Sequence, residues 1–477
     1  MKPTHPTIYE INTPIFLREV GVRVGYAVTL ADVPDDEWDA IVRPGVDTIW
    51  FMGIWKRSAT AREMAKNEPW LKDSLPDLRE EDILGSAYSI QEYVVDERCG
   101  GNKGLAAARA KLRERGIKII LDYIPNHVGI DHVWATERPE YFLTGSSEEL
   151  AAAPGSFAQT PGGIFAKGKD PNFEPWSDVL QLNAFSLAHR QGVARTLQMI
   201  AAMSDGVRCD MAMLMMNGIF SSTWGTRAGE VPATEYWPAA IQAAKQVNPE
   251  FLFLAEVYWD KQQDLLAQGF DLCYDKDLYD ELLIGSALSI KEHLQKTDAY
   301  KDQLLRFLEN HDEERAAHEF IFEKHRAAAV LTATLPGAHL YHDGQREGRQ
   351  VRVPVHVGRR IDEPNNEMTA AFYDKLFGFL DTTKLLEGEW KLVHTVTGLF
   401  RRESRQVLAW AWKNDTSERF FVVNYSAHKA HVKVDFNLKN AQNVTHQLVP
   451  GTANFEQKSS SVLSLDPWQV LAFEIKK

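Results

Sequence analysis

Five consecutive residues, Gly206-Val207-Arg208-Cys209-Asp210, put a guanidinium and a carboxylate two positions apart. They lie between a helical pattern over Leu187–Met203 and the run Met211-Ala212-Met213-Leu214, which predicts a short buried strand. Strand side chains alternate, so Arg208 and Asp210 share one face while Val207 and Cys209 share the other. A buried charge is costly unless it is paired, and a structural ion pair would satisfy that rule without any chemistry. What argues for chemistry is the company. Asp122, Asn126 and His127 close a predicted strand over residues 117–124. Glu256 sits near the end of another over 251–257, and His311 and Asp312 follow a third over 304–308. Acids and imidazoles gathered from several strand ends can move protons and attack a substrate.

The elements that must position these groups form a regular series. Strands are predicted to start at Ile8, Val46, Ile117, Val207, Phe251, Phe270, Leu304 and Ala338. Helical patterns lie between them over residues 36–42, 103–115 (capped by Asn102), 187–203, 237–247 and 316–334. Apolar strands alternating with helices imply a parallel sheet covered on both faces. Eight of them suggest a (β/α)8 barrel, an α/β fold whose working residues sit at the C-terminal strand ends. Residues 128–185 hold little periodicity and form a long excursion after the third strand, of the kind that is usually functional. After Trp390 short strands at close spacing, over 407–412, 420–425, 431–436 and 470–475, suggest an all-β sandwich. The expected division is a barrel over 1–389, with its excursion at 128–185, and a β-sandwich over 390–477.

The chain has 477 residues and a formal net charge of -13, which disfavours nucleic acid and anionic membranes as partners and suits a neutral substrate. Its three cysteines, Cys99, Cys209 and Cys273, fit no zinc spacing. Cys209 alternates away from Asp210 and reads as packing. Met1-Lys2-Pro3-Thr4-His5-Pro6 lacks the apolar core of a secretory signal, and no run of about 18 apolar residues is present. A cytoplasmic location is therefore expected, with the oligomeric state left open.

Asp122-Tyr123-Ile124-Pro125-Asn126-His127, Gly206-Val207-Arg208-Cys209-Asp210, Glu256 and Asn310-His311-Asp312 resemble the four short conserved regions of the α-amylase family of glycoside hydrolases, in that family's order and spacing. The resemblance implies a nucleophile at Asp210, kept ionised by Arg208. It implies a general acid/base at Glu256, its pKa raised by apolar surroundings, and a third carboxylate at Asp312 that holds sugar hydroxyls. Asp122, His127, Arg208 and His311 fall at substrate-binding positions. Tyr88 matches more loosely the aromatic that stacks on the sugar, with core packing as the alternative. Trp55, Trp134, Trp224 and Trp259 could line subsites or serve the core.

The implied activity is retaining hydrolysis of α-glucosidic bonds in malto-oligosaccharides or related α-glucans. The alternatives are a transglycosylase or glucoside isomerase of the same family and, from another class, a catalytically silent carbohydrate-binding relative. No cofactor is required. Asn126 matches a calcium position of many α-amylases, which leaves calcium as an option, although no Asp-rich loop follows the first strand. Two departures bear on specificity. Met211-Ala212-Met213-Leu214 stands where endo-acting α-amylases carry a Lys-His pair. His342-Asp343-Gly344-Gln345 replaces the usual Gly-Gln-Glu after the eighth strand. Both point towards small oligosaccharides.

Overall fold

The computed structural model describes residues 5–42, 45–396, 403–435, 444–446 and 460–476. The opening Met1–Thr4 and the last residue of the strand expected over 431–436 lie outside these. Eight parallel strands close into a barrel: β1 (Thr7–Asn12), β2 (Thr48–Met52), β3 (Lys118–Tyr123), β4 (Gly206–Cys209), β5 (Leu252–Ala255), β6 (Leu272–Tyr274), β7 (Leu304–Arg306) and β8 (Ala338–His342). Neighbours follow chain order around the ring, and β8 pairs back on β1 with Tyr9 opposite Tyr341. The strands are short and apolar because both of their faces are covered. Ile49, Phe51, Ile119, Leu121, Val207, Phe253 and Leu305 are all fully buried.

Register aligns the site. Asp122 on β3 pairs with Arg208 on β4, which pairs in turn with Leu254 on β5. Glu10 on β1 pairs with Trp50 on β2. Pairing thus sets Asp122 and Arg208 side by side.

Several predicted elements are redrawn. The strand expected from Val46 to Trp55 stops at Met52, because Gly53 turns with φ 73, and Trp55–Arg57 pairs separately with Ile90–Val95. A Cβ on Gly53 would lie 2.8 Å from Arg57 Nη2, so only glycine fits without displacing that side chain. The helix expected from Lys103 begins instead at Gly101, with Gly100 as its N-cap, and Asn102 Oδ1 accepts from the Val95 amide. The helical stretch 316–334 breaks into Ala316–Glu319 and Phe322–Thr334, because Phe320 and Ile321 are extended. Helices not anticipated include Thr13–Val24, Asn217–Trp224, Lys276–Ile284, Ala287–Lys296 and Glu367–Thr383.

The excursion contains two antiparallel pairs, His127–Gly129 with Val179–Gln181 and Phe157–Thr160 with Gly163–Ala166. The C-terminal part forms a five-stranded and a three-stranded sheet with an apolar layer between them that includes Ala409, Ala411, Val422, Val432 and Leu471. The other face of the larger sheet packs Trp410, Trp412, Phe421 and Tyr425 onto barrel helices. Trp412 Nε1 donates to Thr334 O at 2.7 Å and Tyr425 Oη donates to Leu282 O at 2.6 Å.

Candidate active site

Strand β4 and the residue that follows it bring Arg208 and Asp210 together at the rim. Gly206 begins that strand where a side chain has no room. A Cβ there would stand 2.9 Å from Leu252 Cβ and 3.0 Å from Leu252 O. Gly206→Ala is expected to cost about 1–3 kcal/mol through overpacking. Urea unfolding measures this, and an unchanged midpoint would remove the steric account.

Arg208 is fully buried and organises the centre. Its Nη1 lies 2.8 Å from Asp210 Oδ1 and 3.4 Å from Asp122 Oδ1, and its Nη2 lies 2.7 Å from Glu256 Oε2 and 4.0 Å from Asp312 Oδ2. The rings of Trp50, Tyr88 and Tyr274 surround the guanidinium at 5.2–5.7 Å. The three carboxylates expected to converge therefore do so around one cation, together with Asp122.

Immediately after Asp210 the backbone enters the left-handed region at Met211, with φ 38. That conformation costs a non-glycine residue about 1–2 kcal/mol. It accompanies a hydrogen bond from the Met211 amide to Glu256 Oε2 at 2.6 Å. The Tyr258 hydroxyl lies 2.6 Å from Glu256 Oε1.

His311 stands between two acids. Its Nδ1 is 2.5 Å from Glu10 Oε1 and its Nε2 is 3.0 Å from Asp312 Oδ2. Tyr88 stacks on the His311 ring at 5.2 Å and its hydroxyl reaches Nε2 at 2.7 Å. His127 is buried beside the indole of Trp176, 5.0 Å away. From the segment after β8, Arg352 Nη1 donates to Asp312 O at 2.6 Å, tying that segment to the stretch after β7.

These placements set the charges. Burial pushes Glu256 up to about 7, helped by the repulsion of Asp210 and Asp312 and opposed by Arg208. Asp210 is also raised, because burial outweighs the cation beside it. This corrects the expectation that Arg208 would hold Asp210 low. Burial raises Asp122 to about 6. Asp312 runs the other way. Its surroundings resist a charge, but His311 and then Arg208 bring it down to about 2, with 45% of the side chain open to the cleft. Burial works against a charge on His311, yet Asp312 and Glu10 raise it well above the usual imidazole range. Burial lowers His127 to about 4 and keeps it neutral. Two cations cannot keep so many adjoining carboxylates ionised, so the cluster retains protons near neutrality. Such a centre can donate a proton and can also stabilise positive charge developing on a ligand.

The donor set at Asn126 does not fit calcium. Its Oδ1 accepts from Gln181 Nε2 at 2.8 Å, and its Nδ2 lies 3.4 Å from His127 Nδ1 and from Lys169 O. Among the described residues no group of three or more His, Cys, Asp or Glu side chains is placed to hold a metal. No helix among them is long and apolar enough to cross a membrane. Of the four tryptophans, Trp55 donates to Asp122 O at 2.8 Å as part of the core. Trp134 packs on Tyr93, His132 and Tyr141. Trp224 lies under Lys169 Nζ, and Trp259 is 39% exposed at the rim. Sequence reasoning missed Glu10, Tyr258 and the Met211 amide. Glu10 had a signal, a carboxylate inside the apolar run Ile8-Tyr9-Glu10-Ile11, whereas the amide had none.

A closed parallel barrel with an acidic centre at its C-terminal rim defines the class. A family model described as the alpha amylase catalytic domain matches residues 38–179. Alpha-amylase MalA of Haloarcula japonica is 24% identical over 338 residues, covering 67% of this chain and 44% of that relative, so the chain spans less than half of its length. Among solved structures, the α-amylase of H. orenii superposes with a TM-score of 0.71 at 17% identity, covering 99% of this chain and 100% of that one. An α-amylase of Geobacillus thermoleovorans complexed with acarbose gives 0.69 at 17% identity and 99% of both chains. The chain is thus similar to α-amylases in part of its sequence and shares their fold.

Proposed function

We propose that the protein is a retaining α-glycoside hydrolase that cleaves α-glucosidic bonds in malto-oligosaccharides or related α-glucans. The observation that carries this reading is the Arg208 guanidinium spanning Asp210 and Glu256. One planar fork between two carboxyls supports the spacing of about 5–5.5 Å that a double displacement needs. Asp210 attacks the anomeric carbon while Glu256 protonates the departing oxygen. The same Glu256 then takes a proton from water, whose oxygen displaces Asp210 from the sugar. Asp312, Asp122, His127, His311 and Tyr88 hold the sugar, and the acidic surroundings favour the positively charged transition state. The substrate class is supported by the names of the relatives and by the acarbose complex of the Geobacillus protein.

The test follows the products of maltotriose by chromatography in the parent enzyme and in Glu256→Gln. Shorter sugars are expected from the parent, and turnover should fall by roughly 10²–10⁴ in the variant. Products longer than maltotriose would instead support a transglycosylase. Because Glu256 must carry its proton to act, kcat/KM should decline as pH rises through about 7. A Glu256→Gln enzyme as active as the parent would remove Glu256 from its role.

A further inference from the structure

Glu256 is gripped by donors of two kinds. On Oε2 lie the Met211 amide at 2.6 Å and Arg208 Nη2 at 2.7 Å, which can only donate. On Oε1 lies the Tyr258 hydroxyl at 2.6 Å, which can donate or accept. A proton on Oε2 would face the Met211 N–H and the Arg208 cation, whereas a proton on Oε1 faces an oxygen that can turn to receive it. We propose that Tyr258 is a positioning residue that fixes Oε1 as the oxygen passing the proton, its hydroxyl reversing from acceptor to donor as that proton leaves. This rests on the reading of Glu256 as acid/base.

In the resting acid, Oε1–H donates to Tyr258 Oη. With substrate bound, that hydrogen turns to the glycosidic oxygen. The proton then moves from Oε1 to this oxygen as the C1–O bond breaks and Asp210 bonds to C1. Negative charge appears on Oε1, and the Tyr258 hydroxyl donates to it. In the second half, water gives a proton to Oε1 while its oxygen bonds to C1 and the bond to Asp210 breaks. The other charged or titratable groups facing Glu256 are Arg208, Asp210, Asp312 and Tyr274. Arg208 meets Oε2, and the Tyr274 hydroxyl accepts from Arg208 Nε at 3.3 Å.

Tyr258→Phe removes a donor from the ionised form, so Glu256 should hold its proton more tightly. The descending alkaline limb of kcat/KM is expected to move up by about one to two pH units. Turnover of maltotriose should fall about tenfold or more. An aryl α-glucoside with a good leaving group, which needs little protonation, should show a much smaller loss. Placing 3-fluorotyrosine at position 258 keeps the shape but makes the hydroxyl a stronger donor, and should move the limb to lower pH. This second variant decides the matter if Tyr258→Phe does not fold. An unmoved limb in an active, folded variant, or an equal loss on both substrates, would overturn the inference while leaving the proposed function intact. A parent enzyme inactive on both substrates would sink both.

Discussion

Arg208→Met is expected to lower folding stability by about 3–5 kcal/mol at pH 8 and to abolish turnover. The guanidinium is fully buried and meets Asp122, Asp210 and Glu256 within 3.4 Å. Methionine fills much of the volume but leaves these carboxyls without a counter-charge. Their folded-state pKa values would then rise further above those of the unfolded chain. An acid whose pKa is raised by folding loses stability as pH climbs past its unfolded value near 4. The deficit should therefore be smallest below about pH 4 and widest under alkaline conditions. Urea unfolding of both proteins across that range measures it. A pH-independent difference, or one below about 1 kcal/mol at pH 8, would show that the cation does not neutralise the cluster.

Asp210→Asn should separate chemistry from stability. Loss of the proposed nucleophile is expected to reduce kcat by a factor on the order of 10⁴ or more, the scale seen when an attacking group is removed. Folding should not suffer. Burial raises the Asp210 pKa, so its ionised form opposes folding at neutral pH, and a neutral amide relieves that opposition while still accepting from Arg208 Nη1. The melting temperature at pH 7 should hold or rise. Substantial residual turnover would take Asp210 out of its role, and a marked fall in melting temperature would show that its charge supports the fold.

Much of this architecture is legible in the chain. Leu187–Met203 and Trp237–Val247 have the bounds expected of them because their apolar periods are uninterrupted. The barrel strands stand out as short, largely apolar runs, several of them followed directly by a carboxylate, as with Asp210, Glu256 and Asp275. The structure brings Asp210, Glu256, Asp312, Asp122, Arg208, His311 and Tyr88 together, since strand alternation and strand ends carry positional information. Thr13–Val24 stayed hidden because the helix follows β1 directly and no break in composition separates the two. The protonation order was not legible either. A neighbouring arginine suggests a low pKa at Asp210, but the degree of burial decides the balance, and burial arises from tertiary packing. Tyr258 lies two residues beyond Glu256 and looks like any rim aromatic until its hydroxyl is placed.

The contact between the barrel and the larger C-terminal sheet reaches beyond the seam itself. In Phe322–Thr334, residues 327–334 are all buried, so the last two turns of this helix lack the wet side of an ordinary barrel helix. Trp410, Trp412, Phe421 and Val423 belong to the same apolar interior as that helix. The wall behind β7 and β8, which support His311 and Asp312, is thus completed by side chains encoded some hundred residues later. The barrel wall beneath His311 and Asp312 and the larger carboxyl-terminal sheet thus share one apolar interior.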